Sequence, residues 1–116
     1  SGAQAHISVH STTGRSPLSN AHPTFHTTLE CQFLAGLVTH LSAVTVFVLP
    51  IPRCYTEIPA DDVFFALGSW VSWGLDHRAV PVRILHPSSP KSLHFEIRLV
   101  DGTASPYLVL SGLLSA

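Results

Sequence analysis

HFEIRLVDGTASPYLVLSGLL, residues 94–114, decides how this chain folds. Strand side chains alternate between faces, so Phe95, Ile97 and Leu99 line one side while His94, Glu96 and Arg98 line the other. Asp101-Gly102 breaks the strand. Ser105 then suits a helix N-cap and Pro106 the first helical position, which starts a closing helix through Leu114. Upstream, VPVRIL (residues 80–85) adds Arg83 from a second apolar strand. Seven of the thirteen charged residues fall between Asp76 and Asp101. A strand carrying Glu and Arg two residues apart is either a solvated sheet face or the floor of a polar site.

Working outward, 116 residues make one domain at most, large enough to bury a core. Charged residues are 11% of the chain, against about 25% in ordinary soluble domains. Ser, Thr, Pro and His stand in for the missing charge, which describes a surface partly covered by other protein. The net charge of −1 provides no basic footprint for a phosphodiester backbone, so a nucleic acid is not expected as partner. Cys31 and Cys54 have neither metal-type spacing nor a disulfide framework, and point to a reduced, cytoplasmic setting. The chain opens directly on strand-like residues and closes inside an apolar helix, as a piece of a longer protein would.

Ala5, Ile7 and Val9 alternate with His6, Ser8 and His10, which predicts a strand from Ala5 to His10. Residues 11–26 are polar, with Gly14, Pro17 and Pro23, and read as loop. Thr27-x-x-Glu30 fits a capping box just before an apolar stripe (Leu29, Phe33, Leu37, Leu41), predicting a helix from about Thr28 to Leu41. Past Leu41 the run AVTVFV is β-branched and reads as strand-like or irregular. Pro50, Pro52 and Pro59 argue for extended loop through residue 67. The uncharged run from Phe33 to Ile51 approaches membrane-span length. Its one-sided stripe, its change of composition and its lack of Lys/Arg flanks argue against a span, so no membrane is expected.

Strands are predicted over Ser69–Gly74, Pro81–Leu85 and His94–Val100, giving an α+β fold of antiparallel strands with packed helices. His6/His10 and His22/His26 lie in a strand and a Pro-containing loop, without the helical geometry of a zinc chelate. Trp70 and Trp73 fall on opposite strand faces and read as core and interface. Cys54 reads as a buried bystander.

The order AHIS, FLAGLVTHLSAVTVFVLP, WVSWGLDHRAVPVRIL, HFEIRLVDGTASPYL and apolar helix resembles the C-terminal half of the glutamine synthetase catalytic (creatine-kinase-like) domain. The likeness covers residues 1–116 as one partial domain and is closest to the fungal fluffy-type branch. It implies ATP-dependent ligation of a carboxylate and an amine, glutamate and ammonia in the family. It further implies divalent metal (Mg or Mn), small-molecule substrates and ring-like homo-oligomers. By position it implies that Arg78 and Arg83 hold nucleotide phosphates, as the family's NR-x-x-x-x-R arginines do. Glu96 would be a metal ligand, Arg98 a group on substrate and phosphate, and His6 the nucleotide-linked second His of an H-x-H. Arg78 and Arg98 are thus the expected catalytic pair. Asp101 and the SPYL helix start, where NPY is usual, would buttress the site.

Other positions depart from that pattern. Gln4 stands where the resemblance implies a metal-binding His, and His94 where it implies the first arginine of R-x-E-x-R. Glu57 falls where an arginine grips the substrate carboxylate, and its charge is expected to repel glutamate. Asp61 and Asp62 lie near the ammonium-collecting flap without aligning to it. The E-x-E metal strand and a β-grasp domain belong upstream, so residues 1–116 alone are expected to be inactive. A non-catalytic domain kept for oligomerisation or signalling is the alternative that Gln4 and Glu57 support.

Overall fold

A computed structural model describes residues 2–10, 12, 27–56, 71–85 and 93–116. The expected loop over 11–26, most of the Pro-rich stretch past Thr56 and the link 86–92 lie outside these residues. So do Glu57, Asp61, Asp62 and Trp70.

The element order is β1 (Gly2–Ile7), α1 (Thr28–Val48), α2 (Arg53–Thr56), β2 (Trp73–Leu75), β3 (Val82–Leu85), β4 (His94–Asp101) and α3 (Pro106–Ser115). Four strands form one sheet in the order β1-β4-β3-β2. β4 is antiparallel to both β1 and β3, as the sequence predicts. β2 departs from that expectation and runs parallel to β3. Just after β2, Asp76 takes a φ of 49° and its N–H donates to the Ile84 carbonyl at 2.9 Å.

β1 begins and ends earlier than the periodicity predicts, because its partner sets its length. Ile7 pairs with Phe95, and β4 begins one residue before Phe95, so Ser8–His10 have no ladder to join. A β-bulge interrupts the pairing: Ala5 faces Ile97 and Ala3 faces Val100, so β4 advances three residues while β1 advances two. The extra residue changes the phase of β4. Phe95, Ile97 and Val100 are buried, and Leu99 is only half-buried, which corrects the simple alternation read from the sequence.

α1 starts where the capping box places it. The Thr27 N–H donates to Glu30 Oε2 at 2.6 Å and the Glu30 N–H donates to Thr27 Oγ1 at 3.2 Å. The helix runs seven residues past the predicted end at Leu41, because Val44 and Val48 continue the buried stripe of Leu34, Leu37 and Leu41 at three- and four-residue steps. Packing overrides the β-branched preference of AVTVFV. The helix is long and apolar enough, by length and composition, to cross a membrane, yet this stripe shares one core with Val82, Ile84, Phe95, Ile97, Val109 and Leu113. The Phe33 and Phe95 rings meet at 5.3 Å. α3 closes against α1 at Gly112, where a Cβ would come within 2.8 Å of the Phe47 ring. Its expected N-cap Ser105 is in place, but the Ser105 side chain makes no capping hydrogen bond.

The extended α1 makes Thr45 an interior helical position. Thr45→Pro removes a helical N–H and drives the ring into the preceding turn, so urea unfolding should register a loss of about 3 kcal/mol. A loss below about 1 kcal/mol would mean that the helix stops near Leu41.

Candidate functional site

The same sheet register that fills the core assembles a polar row on the opposite face. Glu96 in β4 pairs with Arg83 in β3 on one side and with His6 in β1 on the other. Three residues far apart in sequence therefore stand side by side across three strands, with Arg98 two residues along β4. Arg83 Nη1 donates to Glu96 Oε2 at 3.2 Å, and Arg98 Nε lies 3.6 Å from Glu96 Oε1. Each carboxylate oxygen thus faces its own guanidinium. The Glu96 side chain is only 4% exposed, against 18% for Arg83 and 14% for Arg98. A buried carboxylate in such a place is retained because it is paired, and removing either sign leaves the other uncompensated.

Asp76 joins the row from the β2–β3 turn. Its Oδ1 lies 3.5 Å from Arg83 Nη2, and its side chain is 53% exposed. Sequence reading passed over Asp76, because its role depends on the left-handed turn that aims it back at β3. The tolerance of Asp for that conformation was the one signal in the sequence.

Of the five residues expected in the site, the structure brings Arg83, Glu96 and Arg98 into contact and sets His6 next to them. His6 is exposed, and its ring centroid stands 5.2 Å from that of His94, tilted by 44°. Arg78 is exposed in the turn before β3 and joins none of these contacts. Gln4 is also exposed, in β1 opposite the bulge. Asp101 closes the turn into α3, accepting from Thr103 N at 2.8 Å and from Thr103 Oγ1 at 2.5 Å. The Thr103 hydroxyl, its N–H and a further hydrogen bond from Cys54 hold the Asp101 carboxyl below its ordinary range. Cys54 is half-buried.

Chemically the row is a buried network of paired charges. Two guanidinium groups face one buried carboxylate, and the second carboxylate, on Asp76, lies at the rim. Arg83 Nε is buried with no hydrogen-bond partner. For a divalent metal the fit is partial. Glu96 is one suitable oxygen ligand, but no group of three His, Cys, Asp or Glu side chains capable of holding a metal occurs among the described residues.

Comparison with known proteins identifies the family. Residues 1–116 match the family described as glutamine synthetase, catalytic domain. Type-1 glutamine synthetase 1 of Dictyostelium discoideum is 34% identical over 122 residues, covering 100% of this chain and 23% of that protein. Protein fluG of Emericella nidulans is 34% identical over 99 residues, 84% of this chain and 11% of that protein. Gamma-glutamylpolyamine synthetase GlnA3 of Streptomyces coelicolor is 28% identical over 88 residues, 73% of this chain and 18% of that protein. The chain therefore spans less than a quarter of the length of these relatives.

Two outcomes follow from the geometry. Glu96→Gln leaves two largely buried guanidinium groups without their shared charge and should cost about 2–4 kcal/mol in urea unfolding, whereas a solvated charge face would lose less than about 1 kcal/mol. For Asp101, the folded-state value lies below the unfolded one. Its stabilisation is therefore present above the ordinary carboxylate range and lost as pH falls through the lowered folded value. Thr103→Val should move the Asp101 carboxyl back up in an NMR titration and weaken acid resistance. An unmoved titration would contradict the assigned cause.

Proposed function

The chain belongs to the glutamine synthetase catalytic-domain family, and from that premise we propose that it forms the nucleotide-phosphate wall of an ATP-dependent carboxylate–amine ligase. The observation that carries this reading is the Arg83–Glu96–Arg98 cluster, a buried carboxylate held between two guanidinium groups. Phosphoryl transfer asks mainly for positioning and for neutralisation of charge on the transferred group. Arg83 supplies a planar, permanently charged fork to the nucleotide phosphates, and Arg98 does the same where substrate and phosphate meet. Arg78 adds a third cation from the exposed turn, and His6 a hydrogen-bonding imidazole beside Glu96.

Glu96 has two roles in this reading. Without nucleotide it pairs with both guanidinium groups; it would also be the carboxylate that holds Mg or Mn when metal is bound. The metal, when bound, would neutralise phosphate charge. Its remaining ligands would come from beyond the described cluster, and residues 1–116 alone are proposed to be inactive and to work within a larger cytoplasmic homo-oligomer.

The acid and amine are a finer question. The printed names of the relatives include both glutamine synthetases and a gamma-glutamylpolyamine synthetase, so the proposed class is ligation of glutamate, or a related acid, to ammonia or another amine. A second reading, a non-catalytic domain kept for oligomerisation or signalling, draws on Gln4 and Glu57, which stand where the family has a metal-binding His and a carboxylate-gripping Arg.

Calorimetry of the full-length protein separates the two. The ligase reading expects Mg-ATP to bind and Arg83→Gln to weaken it at least tenfold, the scale of a lost charge-assisted hydrogen bond. Absence of nucleotide binding would overturn it in favour of the non-catalytic domain.

A further inference from the structure

Arg83 is gripped from two directions by unlike carboxylates. Glu96 holds Nη1 from within the sheet and is buried. Asp76 meets Nη2 from the rim and is half open to solvent. The chain accepts an uncommon backbone geometry there: Asp76 is the one non-glycine residue with positive φ among the described residues. Its amide is pinned to the Ile84 carbonyl at 2.9 Å, so the backbone places Asp76 beside Arg83, while its half-exposed carboxylate can still swing away.

A carboxylate oxygen and a phosphate oxygen make the same kind of contact with a guanidinium edge. We propose that Asp76 is a resident anion that occupies the Arg83 Nη2 edge until a phosphate displaces it. It thereby sets the affinity of the wall and its preference for polyanions. The inference rests on the reading of Arg83 as a phosphate-binding arginine. An orthophosphate ion gains little from Arg83, since it must first displace a carboxylate already held there. A triphosphate chain spans Arg83 and its neighbours at once, and its several charges outweigh the one carboxylate that it displaces. With Arg83, Arg98, Glu96 and Asp76 all counted, the resting wall is electrically balanced, and displacing Asp76 is what exposes its positive charge.

The test is calorimetric titration of the full-length protein with inorganic tripolyphosphate and, separately, with orthophosphate. Wild type is compared with Asp76→Asn. Asn tolerates the left-handed conformation as Asp does, so the turn is kept and only the charge is removed. Tripolyphosphate should bind about threefold to fivefold more tightly to Asp76→Asn at low salt, the scale of an exposed ion pair. The gain should shrink at high salt and should vanish in an Arg83→Gln background. Orthophosphate should gain proportionally more than tripolyphosphate. Unchanged or weaker affinity in Asp76→Asn, with wild type still binding, would overturn the role of Asp76 alone. A gain that persists with Arg83→Gln would also overturn it. If wild type and variant both fail to bind tripolyphosphate, the phosphate-wall reading falls and this inference with it.

Discussion

The pairing of Glu96 with Arg83 across β4 and β3 is the constraint on which the rest of this structure depends. One strand register puts Ile97 and Phe95 on the apolar side and Glu96 on the polar side. A slip of one residue would send the carboxylate into the core and the phenyl ring into the polar row. Core packing and site assembly therefore specify the same register, and neither can be altered alone. The bulge opposite Ala3–Ala5 fits this pattern. It restores Val100 to the core while Glu96 and Arg98 both stay on the site face.

The helices serve that sheet. α1 begins at a capping box and follows a buried stripe for its whole length, and α3 fits beside it because Gly112 leaves room for Phe47. The Asp101–Thr103 turn fixes where α3 begins. The apolar layer thus holds β4 rigid from one side, while the other side is free to carry charge. A site built on strands braced in this way keeps its guanidinium groups in position without a ligand to organise them.

Much of this was legible in the sequence, for identifiable reasons. Thr27 and Glu30 announce the start of α1 through spacing alone, and the Ser105-Pro106 pair announces α3. The two-residue spacing of Glu96 and Arg98 puts them on one face by strand geometry. The end of α1 was not legible, because β-branched residues at 44–48 argue locally for strand and only the core decides otherwise. The contact of Arg83 with Glu96 was not legible from local pattern, since it depends on the register of two strands. Resemblance to a family named both residues without saying that they touch. Asp76 was hidden for a similar reason: beyond the tolerance of Asp for positive φ, Leu75-Asp76-His77 carries no local sign of a turn feeding a parallel strand pair. Arg78 is the converse case, a residue singled out in sequence that stands apart from the cluster.

The central claim is that this sheet face receives nucleotide phosphates. The most direct measurement is a crystal structure of the full-length protein with ADP and Mn, with the metal located by its anomalous signal. The account predicts phosphate oxygens within hydrogen-bond distance of the Arg83 guanidinium and a Mn ion on a Glu96 carboxylate oxygen. Phosphates bound elsewhere, with Glu96 still closed on Arg83 and Arg98, would contradict it.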